Sequence, residues 1–189
     1  MAEQVEISSF DLRYKDYRVK NTAVEKNLLF SIRNDGIREP LQGVDMESDA
    51  ENMPDSSKRR ILLNGFKRYR CAVSLSIALV PYSSLGSDEA FGIINLLRIA
   101  TAKTLTILEQ AKLITELKQV HRLSVAEISR LLEKSTGWVS MRLGMIRGMS
   151  ESVMKEIFSG RFPAYSYMYT LKPFMRMKDA GKKEVEEFV

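Results

Sequence analysis

The 189-residue chain is poor in the residues from which many small active sites are built. One cysteine, Cys71, excludes a disulfide framework and any multi-cysteine metal site. One histidine, His121, argues against a His-based zinc site and against a Ser-His-Asp triad. It reads as a surface or helix-end residue without a catalytic role. Long apolar runs are missing as well. The longest uncharged stretch, Cys71 to Ser87, has 17 residues, includes Pro81 and several serines, and is shorter than the roughly 20 apolar residues of a membrane span. The opening MAEQVEISSFDLRYK lacks the apolar segment of a secretory signal. The expectation is a soluble, cytoplasmic protein.

What is present is the composition of a folded protein of one or two domains, 44% hydrophobic and 28% charged. The net charge of +5 is unevenly placed. Residues 1–100 carry 14 basic and 14 acidic side chains, and residues 101–189 carry 15 and 10. A basic excess confined to one half points to a polyanionic partner for that half, although a generally basic soluble protein has the same charge.

Val24, Leu28, Leu29 and Ile32 recur at helical spacing and predict a helix over 23–34, stopped by Gly36. Leu41–Val44 and Arg60–Asn64 are strand candidates around a polar loop, 45–60, which makes a hairpin with a long connection. After Gly65, FKRYRCAVSLSIA reads as a helix, and Leu79–Tyr82 as a strand. Ser87 or Asp88 then caps a helix. From there the pattern is helical over 89–99, 105–120, 124–132, 136–146, 150–158 and 164–178. The fold class is α+β: a small mixed α/β domain over 1–100, followed by an all-α domain over 101–189.

The window Leu123 to Arg147 has the pattern of a helix-turn-helix. Ser124 and Glu127 form a capping box, and Ile128 and Leu132 make one buried stripe. Ser135 caps a second helix whose Val139, Leu143 and Ile146 face inward. Such a unit places the start of its second helix in a major groove about 12 Å wide. The candidate DNA-binding residues are Lys134, Ser135, Thr136, Gly137, Trp138, Ser140, Arg142 and Arg147, with Met141 also facing outward. From Lys118 to Arg147 there are six Lys or Arg and two Glu, an excess suited to phosphates. An αα-hairpin in a helical bundle has the same apolar pattern. Gly137 lowers helix propensity, and Glu133 stands where a turn glycine is usual.

A second window, ILLNGFKRYRCA, runs from a strand through Asn64-Gly65 into a helix that starts with Lys67, Arg68 and Arg70. A helix N-terminus with arginines is a phosphate cradle, and equally a basic solvated helix start. It is not a P-loop.

Both windows resemble one family, the ParB-like partition proteins, DNA-binding factors of chromosome and plasmid segregation. SIRNDGIREP (Ser31–Pro40) is similar to the family's S-I-x-x-x-G-[IV]-x-x-P segment. GFKRYRC (Gly65–Cys71) is similar to G-E-R-R-x-R-[AS], and INLLR (Ile94–Arg98) to E-N-x-x-R. LTILEQA (Leu105–Ala111) follows L-x-x-x-E-x-A. KSTGWVS resembles the recognition helix K-S-x-x-[YW]-V-S, and FSGRFPAYSY a later G-x-[LF]-x-x-x-x-A stretch. Order and spacing agree over roughly residues 10–175.

The resemblance implies a homodimeric clamp. Its N-terminal domain, of the ParB/sulfiredoxin-like type, binds CTP with Mg²⁺, and its helical domain reads a palindromic site in double-stranded DNA. The implied nucleotide contacts are Gly36 and Pro40 at base and ribose, and Gly65, Lys67, Arg68 and Arg70 at the triphosphate. Asn95 is implied on the phosphate or Mg²⁺ side, with Arg98 behind it. The family's two glutamates are Phe66 and Ile94 here, so weak or absent CTP hydrolysis is expected. Four residues are inserted between Arg98 and Leu105, and the 45–60 loop is longer than usual. The family's C-terminal dimerisation domain would follow residue 189. A partition ATPase meets the family through a basic N-terminal tail, whereas residues 1–9 hold no Lys or Arg.

Two other readings stay open. One is an enzyme on the same fold: sulfiredoxins place a catalytic cysteine directly after the glycine, where Phe66 stands, and a nuclease or kinase would need a carboxylate cluster. Cys71 reads as a small buried residue. The other is a ParB-derived transcriptional regulator without a partition role. Phe162, Tyr165, Tyr167, Tyr169 and Phe174 read as packing between terminal helices.

Overall fold

The computed structural model describes residues 2–46, 59–101, 104–173 and 181–189. The chain divides into two compact units, Met1–Lys15 with Asn21–Ala100, and Asp16–Lys20 with Thr101–Val189. A single division at residue 100 therefore misses one exchange: Asp16–Lys20 belongs to the helical unit.

The first unit is built on five strands. They are β1 (Glu3–Glu6), β2 (Phe10–Asp11), β3 (Leu41–Met46), β4 (Arg59–Asn64) and β5 (Leu79–Ser84), in sheet order β1-β5-β3-β4-β2. β3 and β4 are the expected antiparallel hairpin, with Val44 opposite Ile61. Most of its long connection, residues 47–58, lies outside the described residues. β3 runs parallel to β5, with Leu41 opposite Tyr82. β1 and β2 carry no pattern that sequence reading detects. Each holds a single apolar residue, Val5 or Phe10, and pairs only because β5 and β4 offer a free edge.

Three helices flank this sheet in the chain: α1 (Thr22–Asp35), α2 (Phe66–Ser74) and α3 (Glu89–Ile99). Asn21 and Asp88 cap α1 and α3 by accepting from Val24 N and Phe91 N. α2 ends four residues before the apolar pattern does. Ser76 turns left-handed at φ 54°, and the amide of Ile77 bonds back to the Ala72 carbonyl at 2.9 Å, a Schellman closure. Leu41, Val44, Ile61, Leu62, Leu63, Val80, Ile93 and Leu96 are buried as the core. Each contributes roughly 1.5–3 kcal/mol relative to exposure.

The second unit contains α4 (Ile107–Gln119), α5 (Val125–Leu132), α6 (Thr136–Ile146), α7 (Glu151–Phe158), the short α8 (Ala164–Ser166) and α9 (Gly181–Phe188). α8 runs into a π-helix, Tyr167–Leu171, within the stretch 164–178 expected to be helical, of which 174–178 lie outside the described residues. Capping boxes at Thr106/Glu109 and Ser124/Glu127 start α4 and α5. Leu108, Ile114, Leu117, Ile128 and Val139 are fully or nearly fully buried. A further apolar cluster joins Met149, Val153, Ile157, Phe158, Tyr167 and Val185. Among the aromatics, Tyr167 is buried and Phe162 meets Phe188 edge-on, as packing requires. Tyr165 and Tyr169 are exposed instead, stacked on each other at 4.5 Å, and Phe174 lies outside the described residues. No helix among the described residues is long and apolar enough to cross a membrane.

Candidate functional site

Two regions hold the residues singled out above, one in each unit. In the helical unit, α5 and α6 meet through a tight turn. Glu133 adopts the left-handed conformation (φ 56°) that a glycine would otherwise supply. The Lys134 amide bonds the Ser129 carbonyl at 3.0 Å, and the Ser129 hydroxyl donates to the Lys134 carbonyl. The small Ser129 thus clamps the turn by side chain and backbone together. Ser135 then caps α6, accepting from Trp138 N at 3.1 Å.

Lys134, Ser135, Thr136, Gly137, Ser140, Met141 and Arg147 are exposed, and Trp138 is half-buried. The first turn of α6 is therefore an open polar face with small side chains. Gly137 is accommodated there without contact, since a Cβ on it would meet nothing closer than 3.8 Å.

Arg142 departs from expectation. It is 7% exposed and does not present its charge outward. Its Nε donates to Gln110 Oε1 of α4 at 2.8 Å, and its guanidinium carbon lies 3.3 Å from the Trp138 ring centroid. The reason is angular. Residues 139, 142 and 146 share one side of a 3.6-residue helix, so Arg142 falls on the seam with Val139. Burial lowers its pKa from the ordinary arginine value. Its role is to fix Trp138 and tie α6 to α4. Gln110, the acceptor, carried no sequence signal.

In the mixed unit, β4 enters α2 through Gly65, which is left-handed at φ 99°. A side chain there would meet Leu41 at 3.1 Å, so position 65 demands glycine for conformation and for space. The Arg68 Nη1 donates to the carbonyls of Glu39 and Pro40, at 2.6 and 2.8 Å. This draws the Glu39–Pro40 backbone and the α2 N-terminus together. Gly36 itself closes α1 at φ 73°. Arg70 forms a bidentate pair with Glu25 of α1 and is held in that pair. Lys67 is half-buried at the first turn of α2. Asn95 donates to the Leu85 carbonyl at 2.9 Å, and Arg98 is exposed at the end of α3.

Phe66 and Ile94 are each 3% exposed. Both are core side chains. Among the described residues no group of three or more His, Cys, Asp or Glu is placed to hold a metal ion. Cys71 is buried, with Sγ 3.8 Å from the Glu25 carbonyl. Burial first, and Glu25 second, push its thiol up, opposite to what a nucleophile needs.

No family model matches the chain, and no curated protein matches it. Solved structures do resemble it. A pNOB8-like ParB N-domain has a TM-score of 0.51 at 14% identity, covering 97% of this chain and 91% of that one. The C-terminally truncated chromosome-partitioning protein ParB from Caulobacter crescentus, complexed to the centromeric parS site, gives 0.43 at 18% identity over 98% and 91%. The same truncated protein complexed with CTP-gamma-S gives 0.39 at 20% identity over 87% and 88%. The likeness to the pNOB8-like domain shows a ParB-like α+β fold, a mixed five-stranded region followed by a mostly helical part.

Proposed function

We propose that the chain is a sequence-specific DNA-binding protein of the ParB type, in which α6 reads a major groove of double-stranded DNA. One observation carries this: the N-terminal half of α6 is exposed and lined by small polar side chains, while its opposite side is fixed by Val139 and the Arg142–Trp138–Gln110 contact. Thr136, Gly137 and Ser140 would approach base edges; Lys134 and Arg147 would meet phosphates. Homodimerisation would supply the second half-site of a palindrome.

The α2 N-terminus, with Gly65, Lys67 and the Arg68-anchored Glu39–Pro40 backbone, would receive the phosphates of a nucleotide, CTP by resemblance. Binding without appreciable hydrolysis follows from Phe66 and Ile94, because their buried rings and methyls can neither hold Mg²⁺ nor orient water. The biological setting would be plasmid or chromosome partition beside a cytoplasmic partition ATPase. A regulator without a partition role is the second reading, favoured by the commitment of Arg70 to Glu25 rather than to a ligand.

The deciding experiment maps bound genomic DNA from the full-length gene product, with and without added CTP. A narrow peak that spreads with CTP supports the clamp, and a peak that stays narrow supports the regulator. No enrichment at any site overturns the DNA-binding reading.

A further inference from the structure

The helical unit contains a cleft of about 490 Å³ away from the residues of α6. Its floor and walls come from the Asp16–Lys20 segment, α4 and α7. Five cationic side chains line it, Arg18, Lys20, Lys112, Lys155 and Arg161, beside the carboxylates of Asp16 and Glu151. Arg18 and Arg161 are paired with Glu109 and Glu156, so Lys20, Lys112 and Lys155 carry the charge offered to a ligand. Neither the α2 cradle nor the face of α6 uses any of these residues.

The cleft is built rather than incidental. The segment 16–20 is tied down at several points. Val19 N donates to Glu109 Oε1 at 2.9 Å, and Arg18 Nε lies 3.3 Å from the same oxygen. Arg18 Nη2 reaches the Thr104 carbonyl at 2.6 Å, and Lys20 N reaches the Phe158 carbonyl at 3.0 Å. The Lys20 carbonyl lies so close to Gly160 that a Cβ there would stand 2.3 Å from it, so the strap and the end of α7 meet backbone to backbone. Lys112 is oriented as firmly. Its ammonium donates to the Asp16 carbonyl at 2.7 Å and sits 4.7 and 4.6 Å from the ring centroids of Tyr17 and Phe158. Lys112 is half-buried, and its pKa is lowered by that burial. An anion arriving in the cleft would favour the charged form and find it already placed. Lys20 and Lys155 are exposed at the rim, where they can close on a ligand.

We infer that this cleft is a phosphate-binding site, its ligand the oxyanions of a phosphodiester backbone or of a small polyphosphate. The positive excess of the lining and the volume, within the usual range for ligand clefts, both suit this chemistry. Lys112 and Lys155 on two helices and Lys20 on a pinned strap line one space.

The test uses the full chain with Lys20→Glu/Lys155→Glu and, as a milder pair, Lys20→Gln/Lys155→Gln, whose neutral side chains should leave folding intact. Inorganic tripolyphosphate is titrated calorimetrically, in a Lys67→Glu background so that the α2 N-terminus does not report. Duplex DNA affinity is measured against salt in parallel. If the cleft takes small polyphosphates, the double variants lose tripolyphosphate affinity at least tenfold while DNA affinity holds. If it takes a DNA backbone, the slope of log K against log salt falls by about two, near 0.9 per phosphate lost. Unchanged tripolyphosphate binding together with an unchanged salt slope, or no binding of either ligand by the parent chain, overturns the inference. A parent chain that binds tripolyphosphate in the cleft but no duplex DNA overturns the reading of α6 and supports the cleft as a small-polyphosphate site.

Discussion

The guanidinium of Arg142 lies over the indole of Trp138, one helical turn earlier, and its Nε reaches back to Gln110. A side chain with the composition of a phosphate contact is therefore a structural strut. The positive charge that α6 offers at its surface comes from Lys134 before it and Arg147 after it.

Arg142→Ala should destabilise the helical unit by about 2 kcal/mol, from a charged hydrogen bond and a stacked cation. Arg142→Lys should rescue little, because an ammonium cannot hold Gln110 and cover the indole together. Trp138 is the single tryptophan, so its fluorescence during denaturant unfolding measures both. A DNA salt slope that is unchanged in Arg142→Ala, which removes the charge, is the outcome expected of a residue that faces inward.

Glu133→Gly should stabilise the chain by up to about 1 kcal/mol. Relief of the left-handed strain outweighs the added freedom of the unfolded chain. Thermal unfolding checks the sign, and a lower midpoint would contradict the prediction.

Gly43→Ala should destabilise the mixed unit by about 1–3 kcal/mol, the range for overpacking. Its Cβ would lie 2.1 Å from the Ile61 carbonyl oxygen, at the register shift between β3 and β4. Backbone, not a flexible side chain, must move. Hydrogen exchange should show protection lost in β3 and β4.

Glu127 is held below the usual carboxylate pKa, first by the Ser124 side-chain hydrogen bond and then by the Ser124 amide. A depressed folded-state pKa stabilises the fold above the unfolded value and loses that stabilisation as pH falls through the folded one. The capping box at α5 should therefore weaken only on the acid side, below about pH 4.5, the ordinary value. Ser124→Ala should move the Glu127 pKa upward, which NMR titration measures directly.

Ser140→Glu should weaken duplex binding by at least tenfold while the unfolding midpoint stays within error, since Ser140 is exposed. Lys67→Glu should leave DNA binding without nucleotide intact and abolish any response to CTP. Electrophoretic shifts with and without nucleotide separate the two.

Much of this was legible along the chain. Ser124, Ser135 and Asp88 mark helix starts because a capping side chain acts within three residues of itself. Gly36 and Gly65 mark turns because φ is a property of one residue. The helix-turn-helix and the β3–β4 hairpin followed from apolar periodicity in the same way. β1, β2 and the exchange of Asp16–Lys20 were not legible, because EQVE, FD and DYRVK acquire their roles only from the strand edges and helices they meet.

The sequence by itself determined where helices start and stop and which face of each is apolar, since those depend on contacts a few residues apart. Only the tertiary structure decided that Arg142 is a strut, that Arg70 is bound to Glu25, that Phe66 and Ile94 are core, and that cations from residues 18 to 161 line one cleft. Charge identifies what a side chain is able to do; the neighbours that folding brings from distant parts of the chain fix which of those things it does.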